Sequence, residues 1–148
     1  MRILRIALPM ILIALTTAAH SADVPDAQQI RTLLSSTFDK PEAKVVAEPV
    51  VVTGMHAIAS WTQGDMGGRA LLRKDKGKWV LVACAGDGLK EAGTLEAAGI
   101  PRDAAGRLAR QLAAAESKVP EERRKRFSLF GPMVDAAAAH AASPAHKH

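Results

Sequence analysis

At 148 residues, with 48% hydrophobic side chains, the chain has the length of one small domain. Its formal charge of +5 is too weak to mark a nucleic-acid binder, and its single cysteine, Cys84, excludes an internal disulfide.

The N-terminus has the three-part layout of a secretory signal peptide. Met1 to Arg5 carries two arginines, Ile6 to Leu15 is almost wholly apolar, and Thr16 to Ala22 is rich in small residues. The apolar run falls short of the roughly 20 residues that a bilayer span needs. Residues 1–22 are therefore expected to be removed, after Ser21 or Ala22, giving a periplasmic protein with no stable membrane insertion after cleavage. Arg2 and Arg5 leave with the leader, which takes the formal charge from +5 to +3. In an oxidising compartment an unpaired thiol has to be buried, bound or used in exchange.

Residues 23–134 read as a single α+β domain and residues 135–148 as a flexible, histidine-bearing tail. Asp26 with Gln29 three positions on has the form of a capping box. Ile30, Leu33, Leu34, Thr37 and Phe38 then share one helical face, and the helix ends over Asp39 to Pro41 because a residue before proline leaves the helical region. Four strands are predicted next: Val45 to Thr53, His56 to Gln63, Gly68 to Lys74 and Lys78 to Cys84. Pro49 lacks the N–H that a ladder requires, which makes the first an edge strand or one broken at a bulge. Trp79 to Cys84 is apolar on both parities, as in a strand covered on both faces. The short connections at Gly54-Met55, Gly64 to Gly67 and Asp75 to Gly77 imply an antiparallel meander.

The remainder reads as helix. Leu89 to Ala92 and Leu95 to Ala98 are short, with Gly99 as a C-cap. Ala105, Leu108, Ala109, Leu112 and Ala115 mark the buried face of a longer helix running to about Lys118. Pro120, Glu121 and Glu122 open a further one that Gly131-Pro132 stops. The expected fold is α+β: an N-terminal helix packed on a four-stranded antiparallel meander, followed by a helical C-terminal half.

Strand direction decides which chemically active residues meet. In a meander the loop at Gly64 to Gly67 and the loop after Cys84 share one end of the sheet, which groups Asp65, Met66, Cys84 and Asp87. His56 belongs to the other end, roughly 25 Å away along the second strand. A thiolate and a thioether have the softness that selects Cu(I), so Met66 and Cys84 are candidate metal ligands. The competing reading places Cys84 in the core, on one strand face with Val80 and Val82. His140, His146 and His148 put three imidazoles on the tail and form a second candidate metal site, suited to Cu(II) and zinc. Arg123 to Arg126 points all around a helix and reads as a solvated face. CAGDG lacks the lysine of a nucleotide loop, and with His56 out of reach only a tail histidine could serve Cys84 as an activating base, so no enzyme is expected.

The segments WTQGDMGGRALL at Trp61 to Leu72 and CAGDGL at Cys84 to Leu89, on a small exported domain with a histidine-bearing tail, resemble the small proteobacterial proteins called copper uptake system-associated proteins. The likeness runs from about Ile30 to Phe130 and is most specific over Gln63 to Arg69. It implies an accessory role in periplasmic copper acquisition, beside an outer-membrane copper receptor or a periplasmic copper chaperone, with copper bound or passed on. It supplies no ligand set. The alternative is a metal-free interaction module that docks a membrane partner through its glycine-rich loop edge, with Asp65, Arg69 and Asp87 as contacting residues.

Overall fold

The computed structural model describes residues 24–136. The expected leader and the tail histidines His140, His146 and His148 lie outside these residues.

Helix α1 spans Asp26–Phe38 and buries Ile30 and Leu34. The expected capping box does not form. Pro25 occupies the N-cap position without a side-chain cap, and Asp26 is the first helical residue. Its carboxylate instead accepts from Lys74 Nζ at 2.6 Å and Trp79 Nε1 at 2.9 Å, while Gln29 Nε2 donates to the Val24 carbonyl. A charged amine and a buried indole N–H outcompete a helix N–H for that oxygen. The hydrogen bond from Lys74, then that from Trp79, holds the Asp26 carboxyl below its usual range. A carboxyl whose pKa is lowered by folding stabilises the fold above its unfolded pKa, and that contribution is lost as pH falls through the folded value. Urea midpoints of the wild type and Asp26→Asn are expected to differ at neutral pH and to converge below pH 3.8, the unperturbed value. A gap that persists unchanged into the acid range contradicts this assignment.

Strands β1 (Val46–Thr53), β2 (His56–Gln63), β3 (Met66–Asp75) and β4 (Lys78–Ala85) form the expected antiparallel meander. β1 is an edge strand, and its register slips between Ala47 and Val50, where Pro49 interrupts the ladder. A fifth strand, β5 (Val134–Asp135), pairs with β4 through Cys84↔Val134 and Ala83↔Asp135, so the sheet has five strands where four were expected. Two residues after Gly131-Pro132 carry no alternation, which leaves such a strand invisible to pattern reading. It takes in Asp135, the first residue of the expected tail.

Helices cover both faces of the sheet. α1 packs on one face with Ala57, Ala59, Ala70, Leu72 and Trp79. After a 3₁₀ turn at Asp87–Lys90 come α2 (Ala92–Ala97), α3 (Arg102–Glu116) and α4 (Glu121–Arg126). Leu108 and Leu112 of α3, with Leu95 of α2, bury Val51, Ile58 and Leu71 on the opposite face. The C-terminal helical half is thus the second cover of the sheet, which explains why β2 to β4 are apolar on both parities.

Candidate functional site

The end of the sheet that carries the β2–β3 turn is built around a chain crossing. Residues 126–131, from the last residue of α4 onward, lie against the ends of β3 and β4. A Cβ on Gly67 would stand 2.7 Å from the Arg126 carbonyl oxygen, one on Gly68 2.8 Å from Phe130 Cβ, and one on Gly86 2.9 Å from the Ser128 carbonyl oxygen. Gly67, Gly68 and Gly86 therefore admit this segment, which the Gly86 N–H ties down through the Gly131 carbonyl at 2.8 Å. Trp61 and Phe130 meet edge to face over Gly68, with ring centroids 5.7 Å apart.

Arg69 is the centre of this crossing. It stands on the α3 side of β3 and is 1% exposed. Its Nε and Nη2 donate to the two carboxylate oxygens of Glu116 at 2.8 and 2.7 Å, in the planar fork that a guanidinium and a carboxylate share. Its Nη1 donates to the carbonyls of Gly86 at 3.0 Å and Phe127 at 3.2 Å and to Asp87 Oδ1 at 3.3 Å. Ser60 Oγ completes the Glu116 carboxylate at 2.6 Å. The guanidinium also lies 5.7 Å from the centroid of the buried Phe127 ring. One side chain thereby joins β2, β3, α3, the loop after β4 and the C-terminal crossing. Arg69 is not available to a docking partner, contrary to the expectation from sequence, because the side chain is buried and each of its guanidinium nitrogens donates inside the fold.

Asp87 is half given to the same network. Ser128 Oγ donates to it at 2.7 Å, and this bond, with Lys90 and Arg69 alongside, keeps its carboxyl below the usual range. Asp65 and Met66 are exposed at the turn, Met66 at 42%. The Arg126 guanidinium holds that turn by donating to the Gly64 carbonyl at 2.8 Å, and Gln63 Nε2 ties the end of β2 to the carbonyls of Phe38 and Ala43.

Cys84 does not join them. Val82 is an extra residue in β4, inserted where the register passes from Leu71↔Ala83 to Leu72↔Leu81. This bulge turns Cys84 away from the α3 face, on which Val82 packs, and into the cluster under α1 with Ala70 and Ile30. The shared face with Val80 and Val82 expected from sequence is lost for that reason. Cys84 pairs with Ala70, and Met66 lies four residues further along β3, about 13 Å away at strand spacing. The Trp61 and Phe130 rings over Gly68 stand between them. Two sulfur ligands of one ion each sit roughly 2.3 Å from it, so this pair does not fit a shared copper ion. Burial also pushes the Cys84 thiol up to about 12. The thiolate is the form that binds metal and reacts. A thiol reagent at neutral pH is expected to label Cys84 only as fast as the protein unfolds, with full labelling in denaturant; rapid labelling of the native protein contradicts the burial.

Among the described residues, no three His, Cys, Asp or Glu side chains gather as a metal-ion site, and no helix is long and apolar enough to cross a membrane. His56, half-buried beside Arg73, sits at the opposite end of β2, as strand direction required.

Sequence reading missed Glu116 and Ser60. Both carried a signal: Glu116 continues the Leu108–Leu112 spacing on the buried stripe of α3, and Ser60 alternates with Ile58 on the face that α3 covers. A carboxylate on a buried stripe calls for a cation, and Arg69 on the next strand supplies it.

No protein-family model, curated protein or solved structure matches the chain.

Proposed function

We propose that the protein is a periplasmic accessory protein of copper uptake. Its folded domain is a docking module, presented to a membrane or chaperone partner through the β2–β3 turn, and copper contact falls to His140, His146 and His148. The observation that carries this reading is the division of labour within Gln63 to Arg69, the stretch on which the resemblance to copper uptake system-associated proteins rests. Gln63, Gly67, Gly68 and Arg69 are consumed in holding the fold, whereas Asp65 and Met66 stand exposed on a turn anchored by Arg126. A rigid tip with a carboxylate and a soft apolar side chain suits recognition, since little conformational freedom is lost on binding.

A photo-crosslinking residue placed at Met66 in copper-starved cells is expected to capture a membrane or periplasmic protein. The same residue at Lys76, in the turn at the other end of the sheet, is expected to capture none. Equal capture from both positions contradicts a docking tip.

A further inference from the structure

The outer edge of β1 carries an open cleft of about 430 Å³ between α1 and the α3–α4 connection. Three cations, Arg31, Lys118 and Arg123, face one carboxylate, Glu48, across a floor that includes Val50 and Val119. The cleft therefore holds a surplus of two positive charges.

The backbone explains both its shape and its charge. Between Ala47↔Trp61 and Val50↔Ala59, β1 has one residue more than β2, which pushes Glu48 and Pro49 out of the ladder. With its register broken and a proline lacking an N–H, this edge does not template an added strand, so recognition here falls to side chains. Arg31 Nε donates to the Ala47 carbonyl at 3.3 Å and lies 3.6 Å from Glu48, while Arg123 Nη2 donates to the Val46 carbonyl at 3.1 Å and stacks 5.8 Å from the Phe127 centroid. A guanidinium has five N–H donors. One carbonyl bond each fixes both groups against β1 and leaves donors for a ligand. Lys118 is exposed at the end of α3.

We propose that this cleft binds an acidic peptide segment, whose carboxylates pair with Arg31, Lys118 and Arg123 while its side-chain stems rest on Val50 and Val119. The volume lies in the roughly 300–1,000 Å³ range of ligand clefts and exceeds what one small anion fills. The site is separate from the β2–β3 tip and stands or falls independently of it.

The test is fluorescence anisotropy of the full mature chain with a labelled hexapeptide alternating Glu and Leu, against the same peptide with Gln for Glu. Only the acidic peptide is expected to bind. Lys118→Glu should weaken it about tenfold or more, the loss of one charge-assisted contact. Arg31→Gln should do likewise, whereas Arg107→Glu, on the exposed side of α3, should leave binding unchanged. Circular dichroism checks that each variant is folded, and Lys118→Glu, at an exposed side chain, keeps the test open where Arg31→Gln disturbs α1. Three results overturn the proposal: equal binding of the Gln peptide, equal weakening by Lys118→Glu and Arg107→Glu, or full displacement of the peptide by an equimolar amount of inorganic phosphate.

Discussion

Arg69→Met is expected to destabilise the domain by about 3–5 kcal/mol, the cost of leaving one half of a buried ion pair behind. Glu116, itself buried, would lose both arms of its fork and keep only the Ser60 hydroxyl. The carbonyls of Gly86 and Phe127 would lose their shared donor at the same time. The C-terminal crossing, rather than the meander, should loosen first, because the strands keep their ladders. Urea unfolding followed by the fluorescence of Trp61 and Trp79 measures this, with Trp61 reporting on the crossing through its contact with Phe130. Removing both charges, as Arg69→Met with Glu116→Met, is expected to recover a large part of the loss, since a buried pair replaced by apolar side chains of similar size is often neutral or better. A single variant that loses less than about 1 kcal/mol, the range of exposed ion pairs, contradicts the central place given to Arg69.

Gly67→Ala is the second large effect. Its Cβ would meet the backbone of two residues, the Arg126 carbonyl oxygen at 2.7 Å and carbon at 2.9 Å and the Trp61 carbonyl oxygen at 2.9 Å. Neither can swing aside as a flexible side chain would, so the crossing must shift, at an expected cost of about 1–3 kcal/mol. Gly93→Ala, in the first turn of α2 with open space around its Cβ, should act in the opposite sense and stabilise by up to about 0.5–1 kcal/mol, the full value for a helix interior. Thermal melts of the two variants give the comparison. Similar midpoints for both would mean that the segment after α4 does not lie on β3 as described.

These two variants show where the sequence was legible. Apolar runs bounded by turn residues placed β1 to β4 within a residue or two, and the 3.6-residue period of Leu108 and Leu112 placed α3. Pro49 announced the break in β1 before the register displayed it. What escaped were long-range facts with no local signature. The glycines of Gln63 to Arg69 read as turn formers or as a flexible loop edge, yet Gly67 and Gly68 are there because a segment some sixty residues later in the chain passes over them. The bulge at Val82 escaped as well, and with it the side of the sheet that Cys84 faces. One extra residue reverses parity, which no apolar-on-both-faces pattern such as Trp79 to Cys84 can register. From sequence Arg69 reads as a contact residue of the glycine-rich loop edge. Its partner Glu116 sits 47 positions away.

The proposed division between a docking tip and a copper ligand set outside the folded domain rests on the separation of Met66 from Cys84. A competitive Cu(I) titration of the mature chain and of its Cys84→Ser, Met66→Leu variant tests it most directly. Indistinguishable affinities are expected, because a buried thiol and a thioether about 13 Å along the next strand do not share an ion. A variant that binds Cu(I) at least about tenfold more weakly, a difference of roughly 1.4 kcal/mol, would contradict it and return the metal site to the folded domain.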